Sequence, residues 1–339
     1  MGSFVYKDCE QILENIQQEA KEKYNLELEV TYFGNNKVYK YHDFSLSYLS
    51  STSYSIHLDK SVHINFTDKE LYLICPIIIR YGLFLNKTEI KEYEILIKLL
   101  LKNLKFFEQQ KTRHIFFLPG DNKHIYDCLQ NSIILTVSPS ADTNALPLYY
   151  TSPTTCSEIN DITNCPVDIS FHGSLNTHLI RPKAVNSLYH IKKYSKFIHC
   201  NFEFIEYLDE KEYLRYIYKK SLSECKFVLC PRGRGSNSIR FFEALNFGKI
   251  PILISDDVKL PLRSKIDYSE FCIEMQEKNY FRIEQYVDNF LKTHDIKTAS
   301  LKAREISENW FSMNSLEKFV TESVREKNLG NNKKGSLFV

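Results

Sequence analysis

Apolar positions recur with helical spacing from Asp8 to Tyr24, where Ile12, Leu13, Ile16 and Ala20 share one face and charges occupy the other; a surface helix is expected there. Leu26 to Phe33 alternates with the period of a strand. Residues 34–70, rich in Ser, Tyr and His, hold no sustained period and read as short strands and loops. The apolar run Leu71 to Ile79 predicts one buried strand, and Ile90, Ile95, Leu96, Leu99, Leu100 and Leu104 predict an amphipathic helix over Glu89 to Phe107. Beyond it, short apolar runs alternate with helical stretches. His114–Leu118 and Ile133–Val137 read as strands, with a short helix near His124–Leu129 between them. Such runs separated by helices suggest a parallel sheet covered on both faces.

From Ser138 to Pro166 periodicity fades, and a domain boundary is placed there. The alternation then resumes more cleanly. Strands are expected at Val167–Phe171, Phe197–Phe204, Phe227–Cys230, Ile250–Ile254 and Phe271–Met275. Helices are expected at Pro182–Tyr194, Glu210–Leu222, Ser238–Phe247, Arg282–Lys292, Ile296–Asn309 and Ser315–Lys327. The organisation that follows is α/β throughout: one Rossmann-like domain over 1–150, a second over 166–327, and a flexible polar tail over 328–339.

Composition narrows the function classes. The formal net charge is +2, too small to hold a nucleic-acid duplex non-specifically, so no nucleic-acid partner is expected. Nine cysteines show no C-x-x-C or C-x-x-H spacing, which reads as reduced thiols in a reducing compartment. The longest apolar stretch, Leu71 to Leu85, is interrupted by Pro76 and Arg80 and is too short to span a bilayer; a cytoplasmic location is expected.

Chemistry concentrates in Lys226 to Asp257, KFVLCPRGRGSNSIRFFEALNFGKIPILISDD. A buried strand ends at Pro231, a loop carries Arg232, Gly233, Arg234 and Gly235, and a helix begins near Ser238. Unpaired N–H groups and the partial positive charge of that helix start form an anion site at the carboxyl edge of a sheet. Arg232 and Arg240 add charge-assisted donors suited to a pyrophosphate. Glu243, one turn in and expected to be partly exposed, is an acceptor-only carboxylate able to take two ribose hydroxyls, or else to pair with a neighbouring Arg. Gly248 is expected to close the helix. Asp256 and Asp257 read either as a loop cap or as part of a ligand pocket.

These residues resemble the exostosin glycosyltransferase family: the run from Cys230 through Asp257, then Leu260-Pro261 and Ile266-Asp267, and upstream ISFHGSLNTHLIR at Ile169–Arg181. The resemblance covers roughly 167–275 and extends weakly through HIFFLPGD; residues 1–110 carry no matching motif. It implies a GT-B fold, two Rossmann-like doubly wound domains facing a central cleft. It also implies transfer of a sugar from a nucleotide sugar, UDP-linked by expectation and with inversion, to a hydroxyl of a glycan or glycolipid acceptor. A catalytically silent glycan-binding or scaffold subunit, and a nucleotide-sugar epimerase, are the alternatives. Compared with eukaryotic members the chain has no recognisable anchor and is short, closer to soluble microbial or viral members, with peripheral membrane association only through the acceptor.

Carried over residue by residue, Gly173 and Ser174 lie where backbone N–H groups approach the diphosphate. Arg181, Arg232, Gly233, Ser238 and Arg240 serve the phosphates, Glu243 the ribose, and His172 and Asp256 the donor pocket. The chain has no D-x-D triplet, and adjacent aspartates on extended chain point apart, so neither metal nor cofactor is expected. An inverting displacement needs a general base, and Asp121, just past the HIFFLPG strand end, is the candidate. The alternative for Asp121 is a turn aspartate bonding its own backbone.

Overall fold

A computed structural model describes residues 9–33, 36–41, 44–48, 63–67, 70–75, 77–80, 87–104, 112–118, 128–129, 132–137, 139, 145–149, 161–201 and 208–335. The chain divides into two units, Met1–Leu148 with Glu317–Val339, and Tyr149–Leu316.

In the first unit, helices α1 (Cys9–Tyr24) and α2 (Lys87–Asn103) form where the helical periods predict them. Leu13, Ile16 and Ala20 of α1 join Tyr93, Leu96, Ile97 and Leu100 of α2 in one buried core, each at most 2% exposed. Strands β1 (Glu29–Phe33), β2 (Asn36–Tyr41), β3 (Phe44–Tyr48) and β6 (Ile77–Arg80) make an antiparallel sheet. A second sheet has the order β4 (His63–Thr67), β5 (Glu70–Ile74), β7 (Thr112–Leu118), β8 (Ile133–Thr136), β9 (Leu146–Pro147). It is parallel from β5 onward, with β4 antiparallel at its edge.

The single strand expected over Leu71–Ile79 is thus two strands in different sheets. Pro76 stands between them, and a residue without an N–H cannot sustain a ladder through the middle of a strand. The antiparallel sheet is an addition to the doubly wound plan expected of this half.

The second unit follows the α/β plan closely. Its sheet is five-stranded and wholly parallel, in the order β11 (Lys196–Asn201), β10 (Val167–Ser174), β12 (Cys225–Pro231), β13 (Ile250–Ile254), β14 (Ile273–Met275). Strands β12 and β13 are buried along nearly their whole length, as strands covered on both faces must be. The crossovers carry α3 (Ile180–His190), α4 (Leu208–Ser223) and α5 (Ile239–Asn246), followed by α6 (Ile283–Thr293) and α7 (Ile296–Trp310).

Helix α5 ends as the glycine predicts. Gly248 has φ +61° and donates to Leu245 O, and Lys249 N returns to Ala244 O, so the terminal carbonyls are satisfied. A β-carbon at Gly248 would stand 3.3 Å from Ser300 O, which ties the turn to α7.

The last helix, α8 (Leu316–Gly335), runs beyond the expected end at Lys327 into the segment read as a flexible tail. From Glu317 on it groups with the first unit, whereas the sequence reading carries the second domain to 327. Phe319, Val320 and Val324 are fully buried, and helical periodicity reveals such a face without telling which core receives it. Among the described residues, no helix is long and apolar enough to cross a membrane, and the seven described cysteines are free thiols.

Candidate functional site

Strands β10 and β12 are neighbours, yet the chain leaves β10 toward β11 on one side and β12 toward β13 on the other. Their carboxyl ends therefore diverge into a crevice, the place where open parallel sheets hold ligands. The two sequence segments singled out, FHGS and PRGRGS, are the two lips of this switch point.

Arg240, in the first turn of α5, reaches back across the crevice. Its Nε donates to His172 O, and its guanidinium lies 5.1 Å from the centroid of Phe171. Gly173 makes this approach possible. Its φ is +149°, and a β-carbon there would fall 1.5 Å from Arg240 Nη2, inside the guanidinium. Arg181, only 7% exposed, joins the lips: Nε donates to Arg232 O and Nη1 to Ser174 O, both at 2.9 Å. Burial and the neighbouring Arg240 charge lower its pKa to about 10, so it stays a cation at neutral pH. Among the described residues no carboxylate forms an ion pair with Arg181 or Arg240.

Arg232 sits differently. Its Nη1 lies 3.4 Å from Asp257 and 3.5 Å from Glu277, and its Nε donates to Gly235 O. Its charge is already compensated by two carboxylates, which an incoming phosphate must compete with. Asp256 accepts from Glu277 N at 2.8 Å, at the start of the following turn. Gly233 donates its N–H to Asn237 O, and Arg181 Nη2 stands 3.3 Å from where its β-carbon would be. Ser238 is the N-cap of α5, 1% exposed, and its hydroxyl makes no capping bond.

Glu243 corrects an expectation. It is 5% exposed, not partly open, because the eight-residue α5 is wedged against β12, β13 and α7 and buries Phe241 through Leu245. Its Oε2 accepts from the hydroxyl of Tyr218, a residue of α4. Removing the carboxylate would leave that phenol without this acceptor, so Glu243→Ala is no longer expected to be neutral for stability.

His172 is 6% exposed and lies against His199 of β11, the rings tilted at 39° with 4.5 Å between centroids, with the Tyr218 ring edge-on at 5.0 Å. Burial first, then His199 and Arg240, lower its pKa to about 4. Its Nδ1, the Nδ1 of His199, Thr177 Oγ1 and Ser238 Oγ are buried polar atoms without a hydrogen-bond partner. Natural interiors seldom leave such atoms unmatched. Here they belong to β10, β11, the loop after β10 and the start of α5.

Sequence reasoning missed Tyr218 and His199. Helical spacing could have found the first: Leu214, Ile217, Tyr218 and Ser221 share one face of α4, while Tyr213 and Tyr216 are exposed. The second needed the register, which sets His172 opposite His199. Asp121 lies outside the described residues, as do His42, His57 and His124, while His114 is buried beside Phe116. No group of three or more His, Cys, Asp or Glu among the described residues is placed to hold a metal ion.

Residues 163–290 match the family model of the Exostosin GT47 domain. Over 122 residues the chain is 35% identical to exostosin-1 of Drosophila melanogaster, covering 35% of this chain and 16% of that protein. Over 77 residues it is 38% identical to the exostosin-1 homolog of Caenorhabditis elegans, covering 23% and 20%. Over 132 residues it is 28% identical to a rice protein named "Probable glucuronosyltransferase", covering 37% and 28%. The matches thus span well under a third of these relatives. Among solved structures, TarM is similar over 94% of this chain and 84% of its own at 10% identity, with a TM-score of 0.34. A glycosyltransferase from Rickettsia africae is similar over 71% and 82% at 11% identity, with a TM-score of 0.35. The segment holding the crevice matches the exostosin GT47 domain, and its α/β architecture around a parallel sheet follows from strand order and register.

Proposed function

We propose that this exostosin GT47 domain binds a nucleotide-sugar donor, UDP-linked, and that the chain transfers the sugar to a hydroxyl of a glycan or glycolipid acceptor. One observation carries the reading. Arg181 and Arg240 are two guanidiniums at a sheet switch point that donate to backbone carbonyls, with no carboxylate ion pair among the described residues. Two like charges held close together raise each other's cost, and a diphosphate is the ligand that relieves both.

In this reading the diphosphate lies across the crevice between Gly173 and the start of α5. Arg240 and Arg181 neutralise the charge that grows on the leaving nucleoside diphosphate, and the helix start adds its partial positive charge. Ser238 Oγ and His172 Nδ1 supply further polar contacts, and Glu243 takes the ribose. A base on the acceptor side, with Asp121 the candidate, removes the proton of the acceptor hydroxyl as its oxygen attacks the anomeric carbon. The bond from that carbon to the diphosphate breaks in the same displacement, so configuration inverts. Cationic side chains stand where other transferases use a divalent ion, so turnover is expected to persist in excess EDTA. The two units are read as the halves of a GT-B enzyme.

The test is UDP release from UDP-sugars, with and without glycoside acceptors, in the presence of EDTA. Acceptor-dependent release supports the proposal. Donor bound without release under any acceptor would identify a silent scaffold, and donor turnover without acceptor an epimerase. Asp121→Asn is expected to abolish transfer while sparing UDP binding.

A further inference from the structure

Helix α4 packs across β10 and β12 and turns Leu214, Ile217, Tyr218 and Ser221 toward the sheet. Of these, Tyr218 alone carries a polar group long enough to reach the next helix layer. Its hydroxyl donates to Glu243 Oε2. Its ring is held edge-on against His172, at 5.0 Å and 73° between planes, and His172 in turn lies against the tilted ring of His199. The phenol is therefore clamped by aromatic contacts from β10 before it meets the carboxylate. Burial, reinforced by the Glu243 charge, pushes the phenol well above its ordinary pKa, so at neutral pH it is a permanent donor and Glu243 the acceptor.

A glutamate side chain has three rotatable bonds, and a carboxylate that must receive a vicinal diol needs its plane set in advance. The Tyr218 hydroxyl meets the Glu243 carboxylate from a neighbouring helix, while Arg240, one turn earlier in α5, donates its Nε to His172 O. We propose that Tyr218 is a positioning residue of the donor site, its hydroxyl fixing the Glu243 carboxylate in the orientation that receives the ribose hydroxyls of a nucleoside diphosphate. The inference rests on the assignment of Glu243 to the ribose made above and deepens it. It places part of donor selectivity for ribose over deoxyribose in a residue that never touches the nucleotide.

The experiment is calorimetric titration of the full chain with UDP, 2′-deoxy-UDP and pyrophosphate, for the wild type, Tyr218→Phe, Glu243→Gln and the double variant. Tyr218→Phe is expected to weaken UDP about tenfold, the scale of one hydrogen bond to a charged group, to weaken 2′-deoxy-UDP, which keeps one of the two hydroxyls, by less, and to leave pyrophosphate nearly unchanged. The ratio of UDP to 2′-deoxy-UDP affinity should then fall alike in both single variants and no further in the double one. Unchanged pyrophosphate affinity shows that the crevice is intact, which a merely structural role for Tyr218 would not preserve. If Glu243→Gln lowers the ratio and Tyr218→Phe keeps the wild-type value, the positioning role is overturned while the ribose assignment stands. If neither variant moves the ratio although UDP binds, the assignment of Glu243 fails and the inference with it. Should Tyr218→Phe not fold, a Glu243→Gln ratio equal to the wild-type value decides against the inference by itself.

Discussion

The arginines of the β10–β12 crevice and those on the β12–β14 flank belong to one sheet edge but stand in opposite electrostatic states. On the flank, Arg232 lies between Asp257 and Glu277, and Arg263 meets both carboxylate oxygens of Glu274. In the crevice, Arg181 and Arg240 are held by backbone carbonyls, and Arg240 by the face of Phe171. Guanidiniums with carboxylate partners cement a surface. Cations kept in place by neutral groups retain their charge for something else, and their mutual repulsion is a standing cost that only an anion removes. The difference separates arginines compensated within the domain from arginines held by neutral groups, a distinction their shared loop-and-helix motif does not make.

The largest effect expected to break that contrast is Gly173→Ala. The positive φ and the overlap with Arg240 together should cost on the order of 3 kcal/mol, and the displaced guanidinium should take UDP binding with it. Gly233→Ala, whose β-carbon would meet Arg181 Nη2 at 3.3 Å, should lose far less. Denaturant midpoints and UDP titrations of the pair check this, and equal losses would show that Gly173 has no special role under Arg240.

Next in size is the pH response of His172, which faces His199 from β11, Tyr218 from α4 and Arg240 from α5. Its pKa falls from 6.5 to about 4 on folding. Above pH 6.5 it is neutral in both states and contributes nothing to the pH dependence. As pH falls from 6.5 toward 4 the unfolded chain takes up the proton and the folded one does not, so stability declines, and below about 4 the loss levels off. At about 1.4 kcal/mol per pH unit the loss is at most about 3.5 kcal/mol. Thermal unfolding from pH 7 to 4 should show a shallower decline in His172→Gln; parallel curves would remove His172 as the cause.

Third comes the direct contrast between the two arginine classes. Arg240→Ala should weaken UDP by about 1.5–3 kcal/mol, the worth of charged hydrogen bonds, and leave uridine almost unaffected. Arg232→Ala should cost under about 1 kcal/mol of UDP affinity, because its charge is already compensated. Equal losses would mean that the pairing with Asp257 and Glu277 does not shield it. Smallest of all, Arg263→Ala should change stability by under about 1 kcal/mol and UDP affinity not at all, since an exposed pair far along the flank carries little energy. A measurable change in affinity there would extend the ligand site to β14.

Much of the second unit was legible because its signals are local. Ile250–Ile254 was read to the residue from a continuous apolar run bounded by Gly248 and Ser255. The loop with two glycines and two arginines, followed by a short amphipathic helix, marked the turn from strand to helix before Ile239. The first unit was less legible. Its 34–70 region lacks period, and the split of β5 from β6 at Pro76 depends on which sheet each half joins.

By itself the sequence determined which segments are strands and helices in the second unit, where Gly248 releases the backbone, and which side chains carry charge to the sheet edge. These follow from periodicity and backbone sterics acting over a few residues. Tertiary structure alone decided that Arg232 is paired with Asp257 and Glu277 while Arg240 is not, that His172 lies on His199, and that Tyr218 reaches Glu243. It also decided that the last helix groups with the first unit. Each of these joins residues tens of positions apart through strand register or helix packing, and no local pattern encodes a register: the same strands paired one residue differently would turn every one of those side chains to the other face.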